Sequence, residues 1–234
     1  MIVGHRGAAG LAPENTLAGI KKAAEVGIRW IEIDTQLTAD CIPVIFHDEI
    51  LERCTNGTGK LASLTLRELK QLDAGSWFGD SFNNETVPTL EEALQTCLDN
   101  DLNMNLELKI HHSEQVVPLA KKVAEIIKSF GFPYDRLLLS SFSLHALEMC
   151  QSLLPEISRG YITKEESTDY LDNVKHLGLY SVHVKQDLLT SDMAKSITDE
   201  GYVLNIWTLN DPEKMTTFAQ MKVKNIITDN PELF

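Results

Sequence analysis

Short β-rich apolar runs alternate with amphipathic helical patterns along almost the whole chain, and one interval breaks the rule that the others obey. The runs are "MIVGH", "WIEIDTQL", "PVIFH", "NMNLELKI", "RLLLSSF", "SRGYI", "YSVHVK", "YVLNIWT" and "KNIITD". Alternation of this kind implies parallel strands joined by right-handed crossovers. Only "TADCI" separates the second run from the third, too little for a parallel crossover, which takes about a dozen residues. Those two runs therefore form a hairpin, folded about Asp40, that extends the second strand and brings His47 back level with Glu32 to Asp34. Eight parallel strands remain, the count of an α/β fold of the (β/α)8 TIM barrel type. An open doubly wound sheet is the competing layout, but the sequence has no glycine-rich dinucleotide loop to favour it.

Between the runs lie helical stretches such as "ENTLAGIKKAAEVG", "SEQVVPLAKKVAEIIKSFG", "SLHALEMCQSLLPE", "EESTDYLDNVKHLG", "TSDMAKSITDEG" and "DPEKMTTFAQMK". Several close on a glycine (Gly27, Gly131, Gly178, Gly201), as helix carboxyl ends often do. Residues 49–88 do not follow the rhythm: they hold "CTNGTG", a short helical pattern "TLRELKQLDAG" and the aromatic loop "SWFGDSFNNE". This stretch reads as a small inserted subdomain capping the barrel mouth within a single domain spanning 1–234.

In such a barrel the working residues lie at the carboxyl ends of the strands. The first strand ends in His5 and Arg6. Glu32 and Asp34, two apart, share one side of the second strand, and Ile31 and Ile33 take the side that packs on helices, so the carboxylates point into the lumen. Glu107 and Lys109 repeat the spacing on the fourth run. Neighbouring carboxylates repel unless a cation lies between them. Three from two strands make an oxygen-rich site suited to a hard cation, Ca²⁺ or Mg²⁺. His5 and His47, brought together by the hairpin, are candidates for an acid–base pair. Among the other histidines, His183 lies nearest a strand end, while His111, His112, His145 and His176 fall in loops or helices.

The net charge of −13 argues against a nucleic-acid partner, which needs a basic surface. Cys41, Cys54, Cys97 and Cys150 lie far apart with no metal-ligand spacing, which suggests free thiols and a cytoplasmic location. No apolar run approaches the ~18 residues that span a bilayer, and no leader pattern precedes the first strand, so stable membrane insertion is not expected.

The chain resembles the glycerophosphodiester phosphodiesterase family, of the bacterial cytosolic type. The matching elements run in order: "HRG" from His5, "PENT" from Pro13, "EIDTQLT" from Glu32, "PVIFHD" from Pro43, "TNGTG" from Thr55, "PTLEE" from Pro88, "LELK" from Leu106, "SSF" from Ser140, "WTLN" from Trp207 and "ITDNP" from Ile227. The departures are small. Cys41 stands in the hairpin turn where the family usually has glycine, "IHH" follows Lys109 where a proline is common, and "VKNI" replaces an Asp-Gly before the last strand's end.

The resemblance implies a (β/α)8 barrel with an inserted subdomain, a divalent metal on Glu32, Asp34 and Glu107, and His5 and His47 as the acid–base pair. The expected reaction releases sn-glycerol 3-phosphate and an alcohol such as choline or ethanolamine from a small glycerophosphodiester. Arg6 suits a two-pronged contact to phosphate and Lys109 a point charge. Trp207, at a strand end, offers a wall for the glycerol carbons or is simply a core residue. His5 is favoured as base and His47 as acid, although the sequence does not assign the direction, nor whether water or the substrate's own hydroxyl attacks. Trp77, Phe78 and Phe82 either shield the head group or only pack the insertion. The alternatives are a lysophospholipase D acting on lysolipids, a phosphodiester-binding barrel without catalysis, and a sugar-phosphate barrel enzyme. Monomer and homodimer both remain open.

Overall fold

The computed structural model describes residues 1–234. All nine runs are strands: β1 Ile2–His5, β2 Trp30–Leu37, β3 Pro43–Ile45, β4 Asn103–Leu108, β5 Leu137–Ser141, β6 Ser158–Thr163, β7 Ser181–Lys185, β8 Val203–Trp207 and β9 Asn225–Thr228. Their order is β1-β9-β8-β7-β6-β5-β4-β2-β3, and a β1–β2 pairing closes the ring into an eight-stranded parallel TIM barrel. The strand left out is β3, antiparallel to β2 with Thr35 opposite Ile45 and Leu37 opposite Pro43. Beyond β3 the Phe46 amide still donates to the Asp34 carbonyl at 3.0 Å, and His47 follows directly, lining one cavity with Glu32 and Asp34. The turn takes Cys41 into the left-handed region at φ 61°, a conformation that explains why glycine suits this position.

The helices are α1 Leu17–Glu25, α2 Leu66–Leu69, α3 Leu90–Asp99, α4 Val116–Phe130, α5 Leu144–Leu153, α6 Tyr170–Val174, α7 Ser191–Asp199 and α8 Met215–Gln220. The helical stretches picked out by periodicity do not include α3. Its signature is a capping box instead: the Thr89 hydroxyl accepts from the Glu92 amide, and the Glu92 carboxylate accepts from the Thr89 amide.

Alternation along the strands separates core from site. Ile31 and Ile33 of β2 and Met104, Leu106 and Leu108 of β4 share one buried cluster with Ile20 and Ala23 of α1 and Leu90, Ala93 and Leu94 of α3. The residues between them, Glu32, Asp34, Asn105 and Glu107, therefore face the lumen, where they are buried. A second cluster joins Val182, Val184, Leu204 and Ile206 to Tyr170, Leu171, Met193 and Ile197 on the far side of the ring.

Residues 49–88 carry α2 and two single-turn 3₁₀ helices around a small apolar cluster. That cluster, Leu51, Cys54, Leu61, Leu69, Ala74 and Val87, also includes Val44 and Phe46 of the hairpin, which fastens the stretch to the strand leading to His47. The four cysteines are free, Cys41 exposed and the others buried.

Because Ile33 anchors the strand that carries both lumenal carboxylates, Ile33→Ala should lower the unfolding free energy by about 2–5 kcal/mol. Thermal denaturation measures this, and a change below ~1 kcal/mol would show that the outward face of β2 does not hold the barrel.

Candidate active site

The turn after β1 sets up the site. Arg6 and Gly7 both take positive φ, 50° and 92°. A Cβ on Gly7 would lie 2.7 Å from the backbone oxygen of Gly19 in α1, so only glycine lets strand and helix approach this closely. The turn leaves the Arg6 amide 3.3 Å from Glu32 Oε2.

The next motif divides its work residue by residue. Glu14 Oε1 accepts from Arg6 Nη1 at 2.6 Å. The Asn15 side chain holds Asp34 at two points: Nδ2 donates to Asp34 Oδ2 at 2.9 Å, and Oδ1 accepts from the Asp34 amide at 3.2 Å. The hydroxyl of Thr16 caps α1 by accepting from the Gly19 amide.

Glu32, Asp34 and Glu107 are all buried, and one oxygen from each falls within 4.8 Å of the others. They could together hold a metal ion, and an all-oxygen donor set fits a hard divalent cation. Burial, reinforced by the charges of Asp34 and Glu107, drives the Glu32 carboxyl well above its ordinary value. Burial pushes Asp34 the same way, but Lys109 and Arg6 outweigh it and hold that carboxyl low. Lys109 Nζ lies 3.1 Å from Asp34 Oδ1 and 2.7 Å from Glu107 Oε1, and Arg6 Nε lies 3.5 Å from Asp34 Oδ2.

Each histidine of the candidate pair is held by an aspartate. His5 Nδ1 lies 2.6 Å from Asp229 Oδ1, and Asn210 donates to the other oxygen of Asp229 at 2.6 Å. His47 Nδ1 lies 2.6 Å from Asp48 Oδ1. A carboxylate on Nδ1 fixes the ring and leaves Nε2 as the reactive nitrogen. Burial lowers the His47 imidazolium pKa, with Asp34 opposing the shift.

One cavity of about 160 Å³ gathers all eight residues singled out by the sequence: His5, Arg6, Glu32, Asp34, His47, Glu107, Lys109 and Trp207. Phe142 also lines it, edge-to-face with Trp207 at 5.5 Å between centroids, so Trp207 stands in the wall and not in the core.

His183 reaches the floor of the cavity, but as a neutral group. Its Nε2 accepts from Asn205 Nδ2 at 2.9 Å and is 2.8 Å from the Ser181 hydroxyl, and burial pushes its imidazolium down to about 3. His111, His112, His145 and His176 do not line the cavity. Neither do Trp77, Phe78 and Phe82, which stack edge-to-face on one another at 5.6 and 5.5 Å. Trp77 is exposed, and none of the three belongs to the apolar cluster of residues 49–88. A larger cavity, about 320 Å³, opens at the amino-terminal end of the barrel beside Met1, Trp30 and Tyr180, away from the carboxylate cluster.

The partners that sequence reasoning missed are Glu14, Asn15, Asp48, Asn210 and Asp229. The motifs already contained them, but nothing in the local spacing said which strand-end group each would meet.

Comparison with known proteins gives a consistent result. Residues 5–233 match the glycerophosphoryl diester phosphodiesterase family. The glycerophosphodiester phosphodiesterase of Caldanaerobacter subterraneus subsp. tengcongensis is 33% identical over 233 residues, covering 99% of this chain and 95% of that protein. One from Bacillus altitudinis is 32% identical over 235 residues, with the same coverage. Among solved structures, an Oleispira antarctica phosphodiesterase in complex with the product sn-glycerol-3-phosphate superposes with a TM-score of 0.95 at 37% identity, covering all of this chain and 94% of that one. No helix of this chain is long and apolar enough to cross a membrane.

Burial and the neighbouring charges raise the Glu32 carboxyl, and burial raises that of Glu107 to about 7; a bound cation would favour the charged form of both. Binding of Ca²⁺ or Mg²⁺ should therefore release a proton, seen by calorimetry as a binding heat that changes with the buffer's ionisation enthalpy. Glu32→Gln should reduce that dependence, Glu107 supplying the remainder; a buffer-independent heat in the unaltered protein would contradict this electrostatic account.

Proposed function

The chain belongs to the glycerophosphoryl diester phosphodiesterase family, whose members are phosphoric diester hydrolases, and on that premise we propose how its barrel mouth works and on what. The substrate is a small glycerophosphodiester, such as glycerophosphocholine or glycerophosphoethanolamine. The products are sn-glycerol 3-phosphate, the compound named with the Oleispira antarctica phosphodiesterase, and the free alcohol. One observation carries this reading: three carboxylates able to share an ion stand in a single cavity with two aspartate-held histidines, an arginine and a lysine.

Glu32, Asp34 and Glu107 hold the cation, Ca²⁺ or Mg²⁺. When bound, it offsets the negative charge of the phosphate and polarises the phosphorus–oxygen bonds. Arg6 donates to a phosphate oxygen from one side, and Lys109 supplies positive charge from the other. His5, with Asp229 on Nδ1, takes at Nε2 the proton of the attacking oxygen, that of water in a direct displacement or that of the substrate's own hydroxyl, in which case water then opens the cyclic phosphate to give glycerol 3-phosphate. His47, with Asp48 on Nδ1, gives a proton from Nε2 to the leaving alcohol oxygen as its bond to phosphorus breaks. His47 is assigned the leaving-group side because the hairpin runs from it directly into residues 49–88, which we place over the mouth as a cap that selects the alcohol. The walls of Trp207 and Phe142 fit the glycerol carbons.

The cavity's volume of about 160 Å³ suits a small diester. A lysolipid would place its phosphate and glycerol there and leave its tail outside, and the paired assay below separates that alternative. The acid–base pair disfavours a barrel that only binds. The spread of cysteines favours a reducing compartment such as the cytoplasm.

His5→Ala and His47→Ala should each cut glycerol 3-phosphate release by about 10²–10⁴-fold without changing the melting temperature. A 4-nitrophenyl diester, whose leaving group needs no proton, should restore turnover to His47→Ala but not to His5→Ala. Normal turnover of glycerophosphocholine by either variant overturns the pair. EDTA should stop the reaction and added Ca²⁺ or Mg²⁺ restart it; indifference to chelator would refute the three-carboxylate site. Assayed side by side with metal present, glycerophosphocholine should be cleaved and lysophosphatidylcholine left intact, and the reverse preference would favour the lipid reading.

A further inference from the structure

Arg53 does not line the cavity, yet it is tied to both sides of it. Its Nε and Nη2 donate to Oδ2 and Oδ1 of Asp48 at 2.6 and 2.9 Å. Its Nη1 and Nη2 donate to Oε2 and Oε1 of Glu14 at 2.7 and 2.8 Å. Each of these carboxylates has a second duty. Asp48 Oδ1 is the atom on His47 Nδ1, and Glu14 Oε1 is the atom that accepts from Arg6 Nη1.

We propose that Arg53 is a positioning residue that fixes two working groups at once, the His47 ring through Asp48 and the Arg6 guanidinium through Glu14. The inference rests on the hydrolytic reading above and extends it to a residue outside the cavity. The chemistry is specific to a guanidinium. Its planar fork presents two edges, and here one edge grips each carboxylate; a lysine ammonium at the same place is a point charge that cannot hold both planes. Without the fork, Asp48 is free to rotate about its side-chain bonds and Glu14 loses two of its three donors. Small displacements at a reacting centre cost large factors in rate.

The geometry also explains why the insertion begins where it does. Arg53 stands five residues beyond Asp48, inside the first turn of the stretch that leaves the hairpin. Leu51 and Cys54 on either side of it are buried in that stretch's apolar cluster. The packing of residues 49–88 thus determines where the guanidinium sits, and the guanidinium passes that position on to the site. Arg53 itself is 45% exposed and takes no part in the apolar cluster that holds the stretch together. Its substitution should therefore affect the reaction much more than the fold.

The test compares Arg53→Lys and Arg53→Ala with His47→Ala on glycerophosphocholine and on the 4-nitrophenyl diester, with metal present. Both Arg53 variants should lose about 10²-fold in kcat on glycerophosphocholine and bind it with a raised KM through Arg6, at an unchanged melting temperature. On the 4-nitrophenyl diester they should recover kcat, as His47→Ala does, but keep the raised KM. Millimolar methylguanidinium should restore part of the activity of Arg53→Ala. If Arg53→Ala does not fold, Arg53→Lys carries the same kcat and KM comparison. Either Arg53 variant within twofold of the parent, or a kcat loss equal on both substrates while His47→Ala spares the aryl ester, overturns the inference. Full activity of His47→Ala on glycerophosphocholine would instead sink the acid–base pair, and no cleavage of either diester by the parent protein would sink the hydrolytic reading, whatever Arg53 does.

Discussion

Three carboxylates that share one 4.8 Å neighbourhood inside a barrel are the constraint to which the rest of the site answers. At that spacing each like-charged pair costs about 3 kcal/mol even at an effective dielectric of 20, and burial adds a further penalty for every charge left unpaired. The chain meets this with buried cations. Lys109 approaches Asp34 and Glu107, Arg6 approaches Asp34, and the Arg6 amide reaches Glu32. These contacts relieve Asp34 most and leave Glu32 with its carboxyl raised. A site that holds Glu32 back from ionising is one in which a divalent cation has the most to offer.

The same constraint accounts for the hairpin. A standard β/α unit would carry the chain from β2 to the helical layer, and the lumenal carboxylates would face only their barrel neighbours. Returning along β2 through β3 brings His47 into the cavity that Glu32 and Asp34 line, so an imidazole from outside the barrel count reaches the carboxylates. The return also gives residues 49–88 a fixed starting point, because Val44 and Phe46 belong to that stretch's own apolar cluster. The second histidine and the start of residues 49–88 arise from one departure in connectivity.

Much of this was legible in the sequence because it depended on periodicity and chain length. The nine strands, the hairpin and the closed ring follow from strand runs at crossover spacing and one interval too short to cross. The lumenal direction of Glu32, Asp34 and Glu107 follows from two-residue alternation against Ile31, Ile33 and Leu106. Helix α3 escaped notice because its start lies in a capping box, Thr89 with Glu92, and not in a repeating apolar face. The aspartates on the histidines were hidden for a different reason. Asp229 meets His5 across 224 positions of sequence, a contact created only when β9 closes the ring against β1. Trp77, Phe78 and Phe82 stood out by composition alone, and composition does not distinguish a stack that fills an insertion from one that lines a cavity.

The two aspartate–histidine pairs also differ in what supports them. Asp229 is held by Asn210, on the loop after β8, and its own amide donates back to Asn210 at 2.9 Å, so His5 is referenced to the closing strands of the barrel. Asp48 is held by Arg53 and therefore by the stretch that follows the hairpin. A barrel strand is tied on both edges, whereas that stretch meets the rest of the chain through separate contacts that include Arg53 to Glu14, Lys70 to Glu92 and Glu49 to His112. Motion of residues 49–88 relative to the barrel would thus be felt at His47 and Arg6 and not at His5. Variation in residues 49–88 has a direct route to one side of the site, while the three carboxylates and the other histidine stay fixed to the closed ring.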